Sequence, residues 1–242
     1  MMTAASIHAA WRHLPLGTLS DIIGNGACLV LAPHPDDESL GCGGLIAACI
    51  ADHRPPLVAI LTDGTGSHPH SRAWPPDRLK ALRYQEASDA TRILGLPRER
   101  LIFLGAKDTV APTEGPEFDA LARRLTAKLD GITAILSPWR HDPHCDHHAA
   151  AVLAAHVARD TGLRHVAYPV WGWTLPPEQT MDGEHTSGWR LDIGPWRPLK
   201  HAAIHAHRSQ LGRVIDDDPA GFVLSEEFKS LFDTPYETYL AP

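Results

Sequence analysis

At 242 residues the chain is long enough to bury roughly 70–75% of its unfolded surface in a full core, with no need for disulfides or a structural metal. Its net charge of −7 speaks against a nucleic-acid partner, which needs a basic surface. No apolar stretch reaches the roughly 18–20 residues of a membrane span.

Met1 to Leu16 lacks the basic segment and apolar core of a signal peptide. The four cysteines (Cys28, Cys42, Cys49, Cys145) show no C-x-x-C spacing and suit a reducing cytoplasm. Without a linker, repeat or low-complexity tract, the expectation is one domain over residues 1–242. No heptad or other assembly signal speaks to the oligomeric state.

The first apolar run predicts a strand over 27–32, and Pro33-His34-Pro35-Asp36-Asp37-Glu38 follows it at once. One imidazole and three carboxylates this close would repel and raise one another's pKa, and a divalent metal removes that repulsion. A helix is expected over Leu40–Asp52, with Gly41, Gly43 and Gly44 allowing close packing on a sheet; there is no G-x-G-x-x-G for a dinucleotide. A second strand, 57–62, leads to Asp63, and a helix over Asp77–Leu94 carries Arg83 and Glu86. A third strand, 100–104, precedes Asp108. The helix over Glu117–Leu129 places Phe118, Leu121, Ala122, Leu125 and Leu129 on one apolar face.

The fourth strand, 132–137, ends near His141-Asp142-Pro143-His144-Cys145-Asp146-His147-His148, which opens a helix over Asp146–Asp160. Two histidines and one carboxylate, with a coordination position left open, form the pattern of a catalytic zinc; iron(II) suits the same set. A fifth strand is expected over 165–170, then a Pro/Trp-rich segment over 171–198 and a helix from Pro198 to Leu211. The acidic tail from Asp216 carries no period that places it. Short apolar strands alternating with helices imply a Rossmann-like three-layer α/β fold, a mostly parallel sheet flanked by helices, with ligands at the carboxyl ends of the strands.

These motifs carry a resemblance. Pro33–Glu38 after the first strand, followed by His144-Cys145-Asp146-His147, resembles the PIG-L (LmbE-like) family of zinc-dependent N-acetylglucosaminyl deacetylases. Leu61-Thr62-Asp63-Gly64, Arg83-x-x-Glu86, Phe103-Leu104-Gly105-x-x-Asp108 and His207-Arg208-Ser209-Gln210 fit in order, so the match runs from about Ala27 to Gln210. The resemblance implies the same Rossmann-like fold, with His34, Asp37 and His147 as metal ligands and Asp36 as the general base that takes a proton from the activated water. It gives His144 the oxyanion or the leaving amine, provided the imidazole is cationic. Glu38 is expected to hold the turn or touch a ligand, and Asp146 to orient an imidazole or cap the helix. The implied substrate is a small N-acylated sugar or glycoconjugate.

Arg83 admits two readings, a helical ion pair with Glu86 or a contact to a substrate oxygen. Asp63 and Asp108 are candidates for sugar hydroxyls, although strand-end acids also cap turns. One departure is Cys145, where the family usually has proline; packing away from the metal is the expectation over ligation. The tryptophans and the His201/His205 pair read as packing and solvated residues. His207 is set apart by its motif. Two other functions fit the same site: an amidase acting on another N-acyl natural product, and a metal-dependent sugar-binding protein. The intact base, Asp36, argues against the second.

Overall fold

The computed structural model describes residues 1–182 and 186–241, so Gly183, Glu184 and His185 of the Pro/Trp-rich segment lie outside it. An N-terminal section of β1 (Met2–Thr3), α1 (Ala4–Arg12), β2 (Leu16–Gly17) and α2 (Leu19–Ile23) leads into the first apolar strand, β3 (Ala27–Ala32). Strands and helices then alternate as α3 (Asp37–Ala51), β4 (Leu57–Thr62), α4 (Pro76–Ile93), β5 (Leu101–Ala106), α5 (Gly115–Thr126), β6 (Ile132–Pro138), α6 (Cys145–Thr161) and β7 (Arg164–Tyr168). The remainder holds β8 (Thr180–Met181), β9 (Gly188–Asp192), α7 (Arg197–Ala206), α8 (Glu226–Ser230) and β10 (Tyr236–Leu240).

The main sheet runs β2-β9-β10-β7-β6-β3-β4-β5. The five strands from β7 to β5 pair in parallel, while β10 lies antiparallel between β7 and β9. The order reverses between β3 and β6, which makes the gap above their carboxyl ends the switch point where open α/β sheets bind ligands.

Apolar side chains on β3 alternate between two cores. Val30 joins Val58, Leu136, Leu45 and Ile204 on the face covered by α3, α4 and α7. Leu29 and Leu31 join Ile135, Leu121, Leu125 and Leu153 on the face covered by α5 and α6. Burial on both faces is why these strands read as continuous apolar runs. The glycines of α3 meet their expected purpose. A Cβ on Gly41 would lie 2.3 Å from the Tyr168 ring, and one on Gly44 2.4 Å from Ile193.

Several boundaries shift by a few residues, α5 ending at Thr126 so that Leu129 lies beyond the helix, and three differences have identifiable reasons. Helix α3 starts at Asp37 rather than Leu40, because the Asp36 carbonyl already accepts from Ser39 N and Leu40 N at 3.0 and 2.9 Å. The last expected helix, 198–211, is broken at His207 (ψ 59°), with a 3-10 turn over Arg208–Leu211. That break lets His207 and Ser209 turn toward Glu38 and Glu86. The acidic tail forms β10 and inserts into the sheet. Among the described residues no helix is long and apolar enough to cross a membrane.

Candidate metal centre and active site

The turn after β3 sends its adjacent carboxylates to different places. Asp37 Oδ2 accepts from the His34 backbone N–H at 3.0 Å and lies 3.0 Å from His34 Nδ1 and 3.2 Å from His147 Nε2. Asp36 sits at φ 152°, a conformation that costs about 1–3 kcal/mol for a non-glycine residue. Its carboxylate instead lines the adjoining cavity and accepts from Arg83 Nη2 at 3.2 Å. Glu38 holds the turn: it accepts Asp36 N–H at 3.0 Å, Ser39 Oγ at 2.7 Å and His207 Nε2 at 3.0 Å. Burial opposes a charge on His207, but Glu38 outweighs it and keeps the imidazole above its usual range.

The loop after β6 supplies the other half. Asp142 Oδ2 accepts from His147 Nδ1 at 2.9 Å and from Val170 and Trp171 N–H at 3.0 Å each, and Oδ1 accepts from Gly172 N–H at 2.7 Å. Four donors hold Asp142 as an acceptor, so His147 carries its proton on Nδ1 and turns a lone pair on Nε2 toward Asp37. Nε2 is buried and has no hydrogen-bond partner. Two acceptor atoms 3.2 Å apart need a cation between them. Asp37 and Asp142 overcome burial and lift His147 to about 9, so this corner of the site draws positive charge. A divalent ion satisfies the same atoms without leaving Nε2 unbonded, and a metal-ligating imidazole held by a carboxylate is the usual arrangement. The donor set therefore fits a metal.

His34, His144 and His147 each bring a ring nitrogen within 4.8 Å of the others. Asp146 turns to His34: Oδ2 lies 3.1 Å from His34 Nε2 and also accepts from Thr109 N–H, while Oδ1 accepts from Ala111 N–H. The helix cap falls to His144, whose Nδ1 accepts from Asp146 N–H at 3.2 Å. Burial and the charges of His34 and His147 lower the His144 pKa, and with Asp146 N–H donating to Nδ1 the neutral ring carries its proton on Nε2. Cys145 is exposed rather than packed, with Sγ donating to the Thr109 carbonyl at 3.2 Å.

Arg83 and Glu86 go separate ways. Arg83, 2% exposed, lines the cavity and donates to the carbonyls of Pro35 and Gly64 as well as to Asp36. Glu86 accepts from the backbone N–H and hydroxyl of Ser209 at 2.8 and 2.6 Å. Asp108 lines the cavity; its Oδ1 is 3.4 Å from His34 Nε2 and its Oδ2 accepts from Gly66 N–H at 2.8 Å. Asp63 lies off the cavity and shapes a turn, accepting from Thr65 N–H, Thr65 Oγ1 and Asp108 N–H.

The cavity measures about 210 Å³, the size of a single small unit rather than the ~300–1,000 Å³ of a drug-sized ligand. Beside the charged groups it is walled by Leu40, Trp171, Phe222, Leu224 and Phe228. Phe222 and Leu224 arrive on a strap of the tail, pinned by Phe222 N–H to Ser67 O and Leu224 N–H to Gln210 O, both at 2.7 Å. Burial pushes Asp36 up to about 7, with Arg83 acting against it and Asp37 reinforcing it.

Three contributors escape the sequence reading. Asp142 stands in the second motif without an assigned role, and a carboxylate five residues before a ligating histidine is the signal that finds it. Gln210 lines the cavity, its amide fixed by Nε2 donating to Ser209 Oγ at 2.9 Å, which leaves Oε1 unpartnered. Among the described residues Trp171 is the one tryptophan lining this cavity.

A Rossmann-like sheet with a two-histidine, one-carboxylate cluster over its switch point, and a second carboxylate held beside it by Arg83, fits the class of metal-dependent hydrolases. Residues 29–158 match the PIG-L family model, described as GlcNAc-PI de-N-acetylase, and the chain belongs to that family. It is similar to the 1D-myo-inositol 2-acetamido-2-deoxy-alpha-D-glucopyranoside deacetylase of Saccharomonospora viridis, at 28% identity over 230 residues, covering 76% of this chain and 84% of that protein. The diacetylchitobiose deacetylase of Thermococcus kodakarensis is 24% identical over 187 residues, 75% of this chain and 69% of that protein. The fold matches that of N,N'-diacetylchitobiose deacetylase from Pyrococcus horikoshii with a TM-score of 0.66 at 20% identity, covering 96% of this chain and 88% of that one.

Proposed function

We propose that the protein hydrolyses the N-acetyl amide of a small N-acetylglucosamine-type sugar, releasing acetate and the free amine. The observation that carries this reading is the divergence of two adjacent carboxylates, Asp37 toward His34 and His147 and Asp36 into the cavity. A binding protein has no use for the second. Zinc is the metal proposed for His34, Asp37 and His147; once bound it polarises the amide carbonyl and lowers the pKa of water to about 7.

The chain's own groups do the rest. Asp36 accepts a proton from the attacking water and passes it to the departing nitrogen, and Arg83 holds its carboxylate in place at 3.2 Å. His144 donates from Nε2 to the developing oxyanion; its Nδ1 bond to Asp146 N–H supports that tautomer, and no cationic form is required. Asp108, which lines the cavity, supplies an acceptor for a sugar hydroxyl. The free cysteines suit a reducing compartment, and we place the protein in the cytoplasm.

Acetate release by zinc-loaded protein over a panel of N-acetylglucosaminides with varied aglycones tests this, run beside Asp36→Ala. The expected result is release by the native chain and a loss of about 10²–10⁴-fold in the variant with metal retained. No release from any panel member by the metal-loaded native chain would overturn the proposal.

A further inference from the structure

Leu40 is a wall of two cavities. Behind the reaction cavity lies another of about 300 Å³, whose lining includes Arg12, Trp173, Arg190, Lys200, Tyr236 and Glu237. The hydrolytic reading gives this second space no work.

Its charges do not balance. Glu237, 3% exposed, accepts from Gly44 N–H at 2.7 Å, Leu45 N–H at 2.8 Å, Lys200 Nζ at 2.6 Å and Tyr239 Oη at 2.7 Å. Lys200 neutralises it, and its oxygens are filled. Arg12 and Arg190 have no carboxylate partner among the described residues. Two guanidiniums without a carboxylate partner among the described residues thus line one cavity of a chain whose net charge is −7.

Both guanidiniums are also positioned. Arg190 is tethered by Nε to the Leu14 carbonyl at 2.8 Å, and its guanidinium lies 4.8 Å from the Tyr236 ring centre. The Arg12 guanidinium lies 5.7 Å from the Trp173 ring centre. An aromatic ring engages the face of a guanidinium and leaves the N–H edge for an acceptor. The terminal nitrogens of two such groups form forks suited to the oxygens of a phosphate or carboxylate.

We propose that this cavity binds a small dianion, a phosphate or a dicarboxylate, on the N–H edges of Arg12 and Arg190. The site is separate from the hydrolytic centre, with Leu40 between them, and does not depend on what that centre hydrolyses.

The test is titration calorimetry and thermal melting of the zinc-loaded protein with inorganic phosphate, glucose 6-phosphate or malonate, at ionic strength matched by potassium chloride. Saturable binding and a raised melting temperature are expected with at least one anion. Phosphate and malonate both binding would show that the site reads paired oxyanions, and either alone would identify the source. Arg12→Gln and Arg190→Gln should each weaken binding about tenfold or more, the loss of one charged hydrogen bond. Arg12 is exposed, so its variant keeps the test sound if Arg190→Gln misfolds through loss of the Leu14 tether. Binding that survives the Arg12 substitution unchanged would place the anion at the metal centre and overturn the proposal. Absence of binding by all three anions would also overturn it.

Discussion

His147 donates through Nδ1 to Asp142 Oδ2 at 2.9 Å, and both side chains are completely buried. Asp142 takes three further donors from the backbone of Val170, Trp171 and Gly172, so the end of β7 fixes the aim of an imidazole that begins on α6. Removing the carboxylate frees the ring to rotate and leaves the tautomer unset. Asp142→Ala should lower metal affinity by about 10–100-fold, measured by competition with a chelating dye. Far-UV circular dichroism would confirm that the fold persists. Undiminished affinity would show that His147 needs no such partner.

Glu86 is a buried carboxylate whose oxygens rest on Ser209. Ser209→Ala removes the hydroxyl donor at 2.6 Å and leaves Glu86 with the backbone N–H alone. Urea unfolding should show a loss of about 1–3 kcal/mol. The variant should also raise KM, because Gln210 is anchored on the same hydroxyl. A stability equal to the native chain would mean that solvent reaches Glu86.

Gly41 faces a ring that cannot retreat. The Tyr168 hydroxyl donates to the Leu31 carbonyl at 2.8 Å, and a Cβ at position 41 would approach the ring to 2.3 and 2.6 Å. Gly41→Ala should destabilise the protein by about 1–3 kcal/mol through overpacking, read as a lower Tm. An unchanged Tm would require α3 to shift, which would appear instead as weakened metal binding at Asp37.

His165 links stability to pH. Burial lowers its pKa from 6.5 to about 4, beside Ser137 Oγ at 2.8 Å from Nε2. Between those two values the unfolded chain takes up a proton that the folded chain refuses. Stability supplied by this group is therefore complete above pH 6.5 and falls as the pH drops toward 4. Unfolding free energies of the native chain and His165→Gln, measured across this window, should show the steeper decline in the native chain. Parallel curves would mean that His165 titrates normally in the fold.

Strands β3, β4 and β6 were legible because both faces of each are largely buried, so that each appears as an apolar run, while the half-buried β5 and β7 were legible from their alternation with helices. The two motifs were legible for a related reason: clustered acids and histidines at strand ends have few structural explanations. Local pattern also marked the apolar face of α5 and the close approach of α3. It did not mark β10, whose buried residues include Glu237, an acid that earns its place only by meeting Gly44, Leu45, Lys200 and Tyr239.

By itself the sequence determined the fold class, the family and the chemical groups of the centre, since period and motif are properties of neighbours along the chain. Tertiary structure decided which of those groups meet. It set Asp37 against His147, sent Asp36 to Arg83, gave Glu86 to Ser209 rather than to Arg83, and brought Trp171, Phe222 and Gln210 around one cavity. These contacts join residues on different elements. Their partners depend on strand order and on where the backbone turns, which no local pattern encodes.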